Sequence, residues 1–261
     1  MNILKEFFGF GGYTRTPEGA YSWQHLLFVS IVTLIMVGLA IFLGLKNKNK
    51  DEATKNKVII WAAILIDGFE IIKLIIFAWR AHDITTLRTN LPLFLCSIQL
   101  ITIPLAAFSK GRIKEASMDF VVLFGILGGV AGTIGAAQNY NAYPVLAFDN
   151  VVSATTHNIS AFTGLYIIIS GLITLKKENI WIVASILLTF IVLALLFNKI
   201  LDYNYMFLRN HDGTPYVIFY NMVNGNKILY PITVVLAFVL YGAIFYLVFY
   251  LIKYLNQKKA S

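Results

Sequence analysis

The sequence predicts an all-α, polytopic membrane protein with seven transmembrane helices, its N-terminus outside and its C-terminus in the cytoplasm. Three observations carry that expectation. Of 261 residues, 58% are hydrophobic and only 13% charged, against about 25% charged in a soluble chain, which excludes a water-soluble shell. Seven apolar runs each reach the roughly 20 residues needed to cross a hydrocarbon core. Short polar pieces separate them, and Lys and Arg divide unevenly between the two sides.

The runs lie near residues 23–45, 58–79, 91–109, 118–137, 151–175, 180–199 and 229–252. They leave no room for a second soluble domain, so residues 1–261 read as one seven-helix membrane domain. The first run follows an aromatic, glycine-containing start, Phe7-Phe8-Gly9-Phe10-Gly11-Gly12. That start lacks a basic leader feeding an apolar core, so no cleaved signal peptide is expected. Lys46, Lys48, Lys50, Lys55 and Lys57 follow the first run; Lys110, Arg112 and Lys114 follow the third. Lys176 and Lys177 follow the fifth, and Lys253, Lys258 and Lys259 close the tail. These thirteen stand on one side, against seven on the other (Lys5, Arg15, Arg80, Arg88, Lys199, Arg209 and Lys227). The more basic side is the cytoplasmic one, and the expected location is the cell membrane, crossed several times. The fourth run carries Gly125, Gly128, Gly129, Gly132 and Gly135 at overlapping four-residue spacings, which close helix packing explains. The longer connection over 200–228 holds tyrosines suited to a membrane interface and an Asp212-Gly213-Thr214-Pro215 turn.

Several function classes fall away at once. A single cysteine, Cys96, excludes a disulfide framework and a Cys-rich metal site. No His-Glu-x-x-His or comparable spacing appears, so neither metal nor cofactor is expected. The net charge of +8 reads as membrane orientation, without the compact basic stripe that nucleic acid requires. Membrane lipids are the expected partners; no protein partner is indicated.

Polar groups at hydrocarbon depth carry the functional information, because each is costly there and faces the protein interior or a wet cavity. In the second run Asp67, Glu70 and Lys73 recur every three residues. With Ala63 and Phe77 they form one inward stripe, in which Glu70 and Lys73 can pair. Cys96 opens the third run, Gln99 lies three residues on, and His157 sits in the fifth within Ser153-Ala154-Thr155-Thr156-His157-Asn158. Small or polar residues, Asn150, Ser153, Ala154, Ser160, Ala161 and Gly164, share the His157 face and leave a groove. Cys96, His157, Glu70 and Lys73 fall at about one depth in the outer half of the bundle. His is a general base near neutral pH, and a Cys beside His is a standard activated nucleophile. A hydrogen-bonded core histidine with an unrelated cysteine is the bland alternative.

The ordered set Ser22-x-x-His25-Leu26-Leu27, Glu70, Leu91-Pro92-Leu93-x-Leu95-Cys96, His157 and Asn204-Tyr205-Met206-Phe207-Leu208 resembles the YwaF-type family of bacterial integral membrane proteins. One position departs: the family commonly has His before the Leu-Cys pair, and Phe94 stands there. That family is similar to eukaryotic multi-span phospholipid acyltransferases that use a cysteine. More distantly it is similar to androgen-induced membrane hydrolases of fatty-acid esters. The resemblance implies that Cys96 is the acyl-accepting nucleophile and His157 its base.

The expected function is therefore lipid acyl transfer or ester hydrolysis on a lipid acyl-chain substrate. Cys96, His157, Glu70 and Lys73 are the catalytic candidates, with Glu70 orienting His157 and Lys73, Asn150 or Asn158 stabilising the oxyanion. Should Cys96 not be the nucleophile, Thr156 or Ser153 is next. His25, Asp67, Gln99, Asn150, Ser153, Asn158, Asn204 and Tyr205 are the substrate-binding candidates. The rival reading is a non-catalytic small-molecule or lipid binding or transport component. Contact between Cys96 and His157 would favour the enzyme.

Overall fold

The computed structural model describes residues 3–173 and 175–260, and among them every regular element is helical. The chain divides into two compact units, Met1–Phe190 and Ile191–Ser261. In the first unit a short helix α1 (Ile3–Phe8) precedes α2 (Trp23–Asn47) and α3 (Glu52–Ala81). A 3-10 segment (Ile84–Asn90) leads to α4 (Gln99–Phe108) and α5 (Gly111–Phe120). A π turn (Val121–Gly125) then joins α6 (Ile126–Ile134), followed by α7 (Ala137–Ala142) and α8 (Phe148–Ile169).

The caps follow from the sequence. Ser22 precedes α2 in extended conformation and its hydroxyl accepts from the His25 amide at 3.3 Å; Asp51 does the same for α3 through the Thr54 amide at 3.2 Å. Each satisfies one of the donors a helix start leaves open. Gly171, at φ 76°, ends α8. The Gly171 amide donates to Ile168 and the Leu172 amide to Ile167, the paired bonds of a left-handed C-terminal cap. This stops the helix at Ile169, short of the apolar run's end at 175.

Helix α8 is the hub, packed against α2, α3 and α6, with more than half of its residues buried. Its polarity is tolerable because its faces meet protein. The charged stripe of α3 also turns inward: Ala63 is buried and Asp67, Glu70 and Lys73 are partly so. On the opposite face Trp61, Ile71 and Ile75 are 63%, 57% and 58% exposed. Apolar outside and charged inside is the pattern lipid selects. At one end Asn47 on α2 donates to the Tyr166 hydroxyl at 3.0 Å, and that hydroxyl donates to the Lys55 carbonyl at 3.0 Å, tying α2, α3 and α8 together.

The third apolar run departs from an unbroken helix. Only Gln99–Phe108 is α-helical, and residues 91–98 form turns. Pro92 disfavours helical backbone at the residue before it, and Leu91 is accordingly extended (φ −63°, ψ 148°). The chain re-enters helix through the bonds Ser97 N–H to Phe94 (2.9 Å) and Gln99 N–H to Cys96 (3.3 Å). Cys96 thus sits on the turn that feeds α4, not inside a helix.

Four helical stretches are long and apolar enough to cross a membrane among the described residues: Trp23–Asn47, Gly111–Ala142, Lys177–Ile200 and Leu229–Lys258. Helices α3 and α8 have the length but carry the polar candidates.

In the second unit, reached through α9 (Ile180–Ile200), the chain passes a 3-10 turn (Tyr205–Phe207) and α10 (Val217–Met222) into α11 (Leu229–Ala260). Met206 and Phe207 both take φ 55°, a region costing an ordinary residue about 1–2 kcal/mol. The turn is held by Asn198, which accepts from the Tyr205 amide at 2.5 Å and donates to its carbonyl at 3.0 Å.

Candidate functional site

The turn before α4 and the middle of α8 bring Cys96 and His157 together. The sulfur and the imidazole lie close enough to act on each other electrostatically, and the Ser97 hydroxyl stands beside the sulfur as well. His157 Nδ1 lies 2.7 Å from the Ser153 carbonyl and 3.5 Å from the Ser153 hydroxyl. A carbonyl only accepts, so Nδ1 carries the hydrogen and Nε2 is left as the acceptor. Both side chains are partly exposed, so a small reagent has a route to them.

The wall facing this pair is glycine. A Cβ on Gly128 would meet the Cys96 Cβ at 3.2 Å, and one on Gly132 would meet His157 Nε2 at 2.1 Å and Cδ2 at 2.0 Å. Gly125 and Gly129 border the Ser160 carbonyl and Ala161 on α8 instead. The overlapping spacings in α6 therefore serve two purposes: one ridge packs on α8, the other makes room for the site. Sequence reasoning assigned all of them to packing, because four-residue glycine spacing looks the same in both cases.

Lys73 lies close enough for its charge to act on His157, and it pairs with Glu70 at 2.6 Å. Glu70 is thus spent on Lys73, and the group orienting the histidine is the Ser153 carbonyl. Asp67 lies on the same face of α3, within electrostatic reach of Glu70. The two asparagine amides are engaged elsewhere. Asn150 Nδ2 donates to the carbonyls of Tyr143 (3.1 Å) and Pro144 (2.9 Å). Asn158 Nδ2 donates to the Thr133 hydroxyl (3.2 Å) and the Ala154 carbonyl (2.8 Å). Both hold helices and loops in place. Thr156 bonds back to the Val152 and Ser153 carbonyls at 3.1 and 3.0 Å.

His25 is fully buried, stacked on Tyr140 with centroids 3.8 Å apart, and its Nδ1 accepts from the Tyr21 amide at 2.8 Å. It anchors the start of α2. Gln99 is also fully buried, its Oε1 accepting from the Thr102 hydroxyl at 3.1 Å. Asn204 and Tyr205 belong to the second unit. There the Asn204 side chain organises its loop, accepting from the Arg209 amide (2.8 Å) and donating to Asp212 (2.6 Å). Among the described residues no group of three or more His, Cys, Asp or Glu is placed to hold a metal ion.

A second cluster escaped the sequence reading. Arg80 at the end of α3 grips Asp149 at the start of α8 with two bonds of 2.7 Å, and the Tyr13 hydroxyl donates to the same carboxylate. Phe7, Phe8 and Phe10 pack around Phe148, Ile76 and Val152. Burial, with the bond to Asp149, pushes the Tyr13 phenol up, so it stays a donor. Glu6 accepts from the Arg15 amide (3.0 Å), the Thr14 amide (3.1 Å) and the Thr14 hydroxyl (3.0 Å), which hold its carboxyl below the usual range. The N-terminal segment is thereby fastened over one end of α3 and α8.

Residues 20–253 match the model of the TMEM164 family, a family of membrane proteins. The chain belongs to that family. The matched stretch includes Cys96, His157, the α3 stripe and the glycines of α6, and excludes α1. No curated protein and no solved structure matches the chain.

Proposed function

We propose that this TMEM164 family protein is a cysteine-dependent lipid acyltransferase or ester hydrolase. The observation that carries the reading is the placement of the Cys96 thiol beside a His157 ring of which one nitrogen is fixed by Ser153. A buried, unrelated cysteine needs no such partner. In the first step His157 Nε2 accepts the thiol proton and the sulfur adds to an ester carbonyl carbon. The carbon–oxygen ester bond then breaks, and the leaving alcohol takes the proton from His157. The acyl group remains on Cys96 as a thioester. A second alcohol, or water, gives its proton to His157 and attacks the thioester, releasing the thiol. Lys73 contributes positive charge beside the reacting atoms, with Glu70 lowering the cost of burying it.

The topology belongs to the same proposal: a multi-pass protein of the cell membrane with seven crossings and the N-terminus outside. Helices α3 and α8 and the run containing α4 would complete the four apolar stretches, and the basic residues set the orientation. The site would then lie in the outer half, open to an acyl chain entering between helices. The likeness to the YwaF-type family and its cysteine-dependent relatives supports the same chemistry.

Reaction of the purified protein in lipid with an acyl-ester probe tests the function. Labelling of the parent that is lost in both Cys96→Ala and His157→Ala is the expected result. A folded parent that takes no label refutes it and turns the reading to a binding or transport protein.

A further inference from the structure

Beside the thiol–imidazole pair two buried polar atoms have no hydrogen-bond partner among the described residues: Gln99 Nε2 and Ser160 Oγ. Both residues are effectively inaccessible, at 0% and 3% exposure. The two side chains border the same point, since a Cβ on Gly125 would stand 3.3 Å from Gln99 Oε1 and 3.4 Å from Ser160 Oγ. Buried donors left unmatched are a standing cost, so proteins seldom keep two together without use.

Their placement gives that use. Ser160 lies one turn after His157 on α8, where residues so spaced stand about 5–6 Å apart, and Gln99 opens α4 three residues after Cys96. The Gln99 oxygen takes the Thr102 hydroxyl at 3.1 Å, which leaves the Nε2 hydrogens unmatched. Gly125, where the π turn ends, puts no side chain between the two residues.

We propose that Gln99 Nε2 and Ser160 Oγ form the donor pair that holds the acyl carbonyl oxygen during attack by Cys96. The proposal rests on the acyl-transfer reading and names the group that stabilises its negative charge. As sulfur adds, the carbonyl π electrons move onto oxygen, and the two donors take it at about 3 Å. When the ester bond breaks, the electrons return to re-form the carbonyl. Asn150 and Asn158, whose donors are already engaged, have no part in this, and Lys73 acts from the side.

Two rates on the full-length protein in lipid separate this role from a structural one. Acylation by p-nitrophenyl octanoate builds charge on oxygen; alkylation of Cys96 by iodoacetamide does not. Gln99→Met is expected to slow acylation about 100-fold or more, the usual loss for one such donor, with alkylation unchanged within twofold. Ser160→Ala is expected to slow acylation about tenfold, and it decides the matter should Gln99→Met not fold. Acylation at the parent's rate, or both rates falling together, overturns the donor role. A parent that is alkylated but never acylated fails the acyl-transfer reading itself, and the donor pair with it.

Discussion

Placing one methyl group on α6 should separate the cysteine from its base. In Gly132→Ala the new Cβ would stand 2.0 Å from His157 Cδ2 and 2.1 Å from Nε2, where carbon contacts ordinarily begin near 3.5 Å. Something must move by more than 1 Å. The α6 backbone is pinned beside α8 at Gly129, whose own Cβ position is 2.5 Å from that of Ala161. The ring therefore yields, and with it the bond to Ser153 and the approach to Cys96. Overpacking of this kind costs about 1–3 kcal/mol, which leaves the protein folded. A misplaced base costs about 100-fold in rate. The assay is iodoacetamide alkylation at neutral pH, unambiguous because Cys96 is the only cysteine. Gly38→Ala on α2, where a Cβ meets nothing within 4 Å, is the control and should react at the parent's rate. Gly132→Ala alkylated at the parent's rate in folded protein would refute the steric reasoning and the claim that His157 activates the thiol.

Three further outcomes follow from the same geometry. Asp149→Ala strands the Arg80 guanidinium and should lower stability by about 3–5 kcal/mol, measured by unfolding in detergent, while Tyr13→Phe should cost about 1 kcal/mol. The Glu6 carboxyl is lowered on folding, so its contribution is complete above its ordinary titration near 4.5 and is lost as pH falls through the lowered value. The protection of the Thr14 and Arg15 amides against hydrogen exchange, taken relative to the free-peptide rate at each pH, should accordingly fall on acidification, and Glu6→Gln should lower it already at neutral pH. Asn158→Ala removes bonds to Thr133 and Ala154 and should cost about 1–3 kcal/mol of stability while leaving alkylation of Cys96 within about threefold, the outcome for a residue that braces helices and does not touch the reaction.

Much of this was legible along the chain. Composition dictated an apolar exterior, and three-residue spacing placed Asp67, Glu70 and Lys73 on one face of α3 with Glu70 and Lys73 paired. Ser22 and Asp51 announced the helix starts that they cap. The extent of the helices was less legible where backbone chemistry overrides hydropathy: Pro92 unwinds the chain before α4, and Gly171 stops α8 while the sequence is still apolar. Both effects are local, yet neither alters the hydropathy from which the spans were read.

The sequence by itself determined that the chain is helical, that its solvent is lipid and that polar groups had to turn inward, since periodicity and transfer energy are properties of short stretches. The placement of Cys96 against His157, the transfer of the orienting role from Glu70 to the Ser153 carbonyl, the engagement of Asn150 and Asn158, and the unmatched Gln99 Nε2 were decided only by the tertiary structure. Each depends on which atoms meet across helices far apart in the chain, and residue type alone leaves several partners open to every buried polar group.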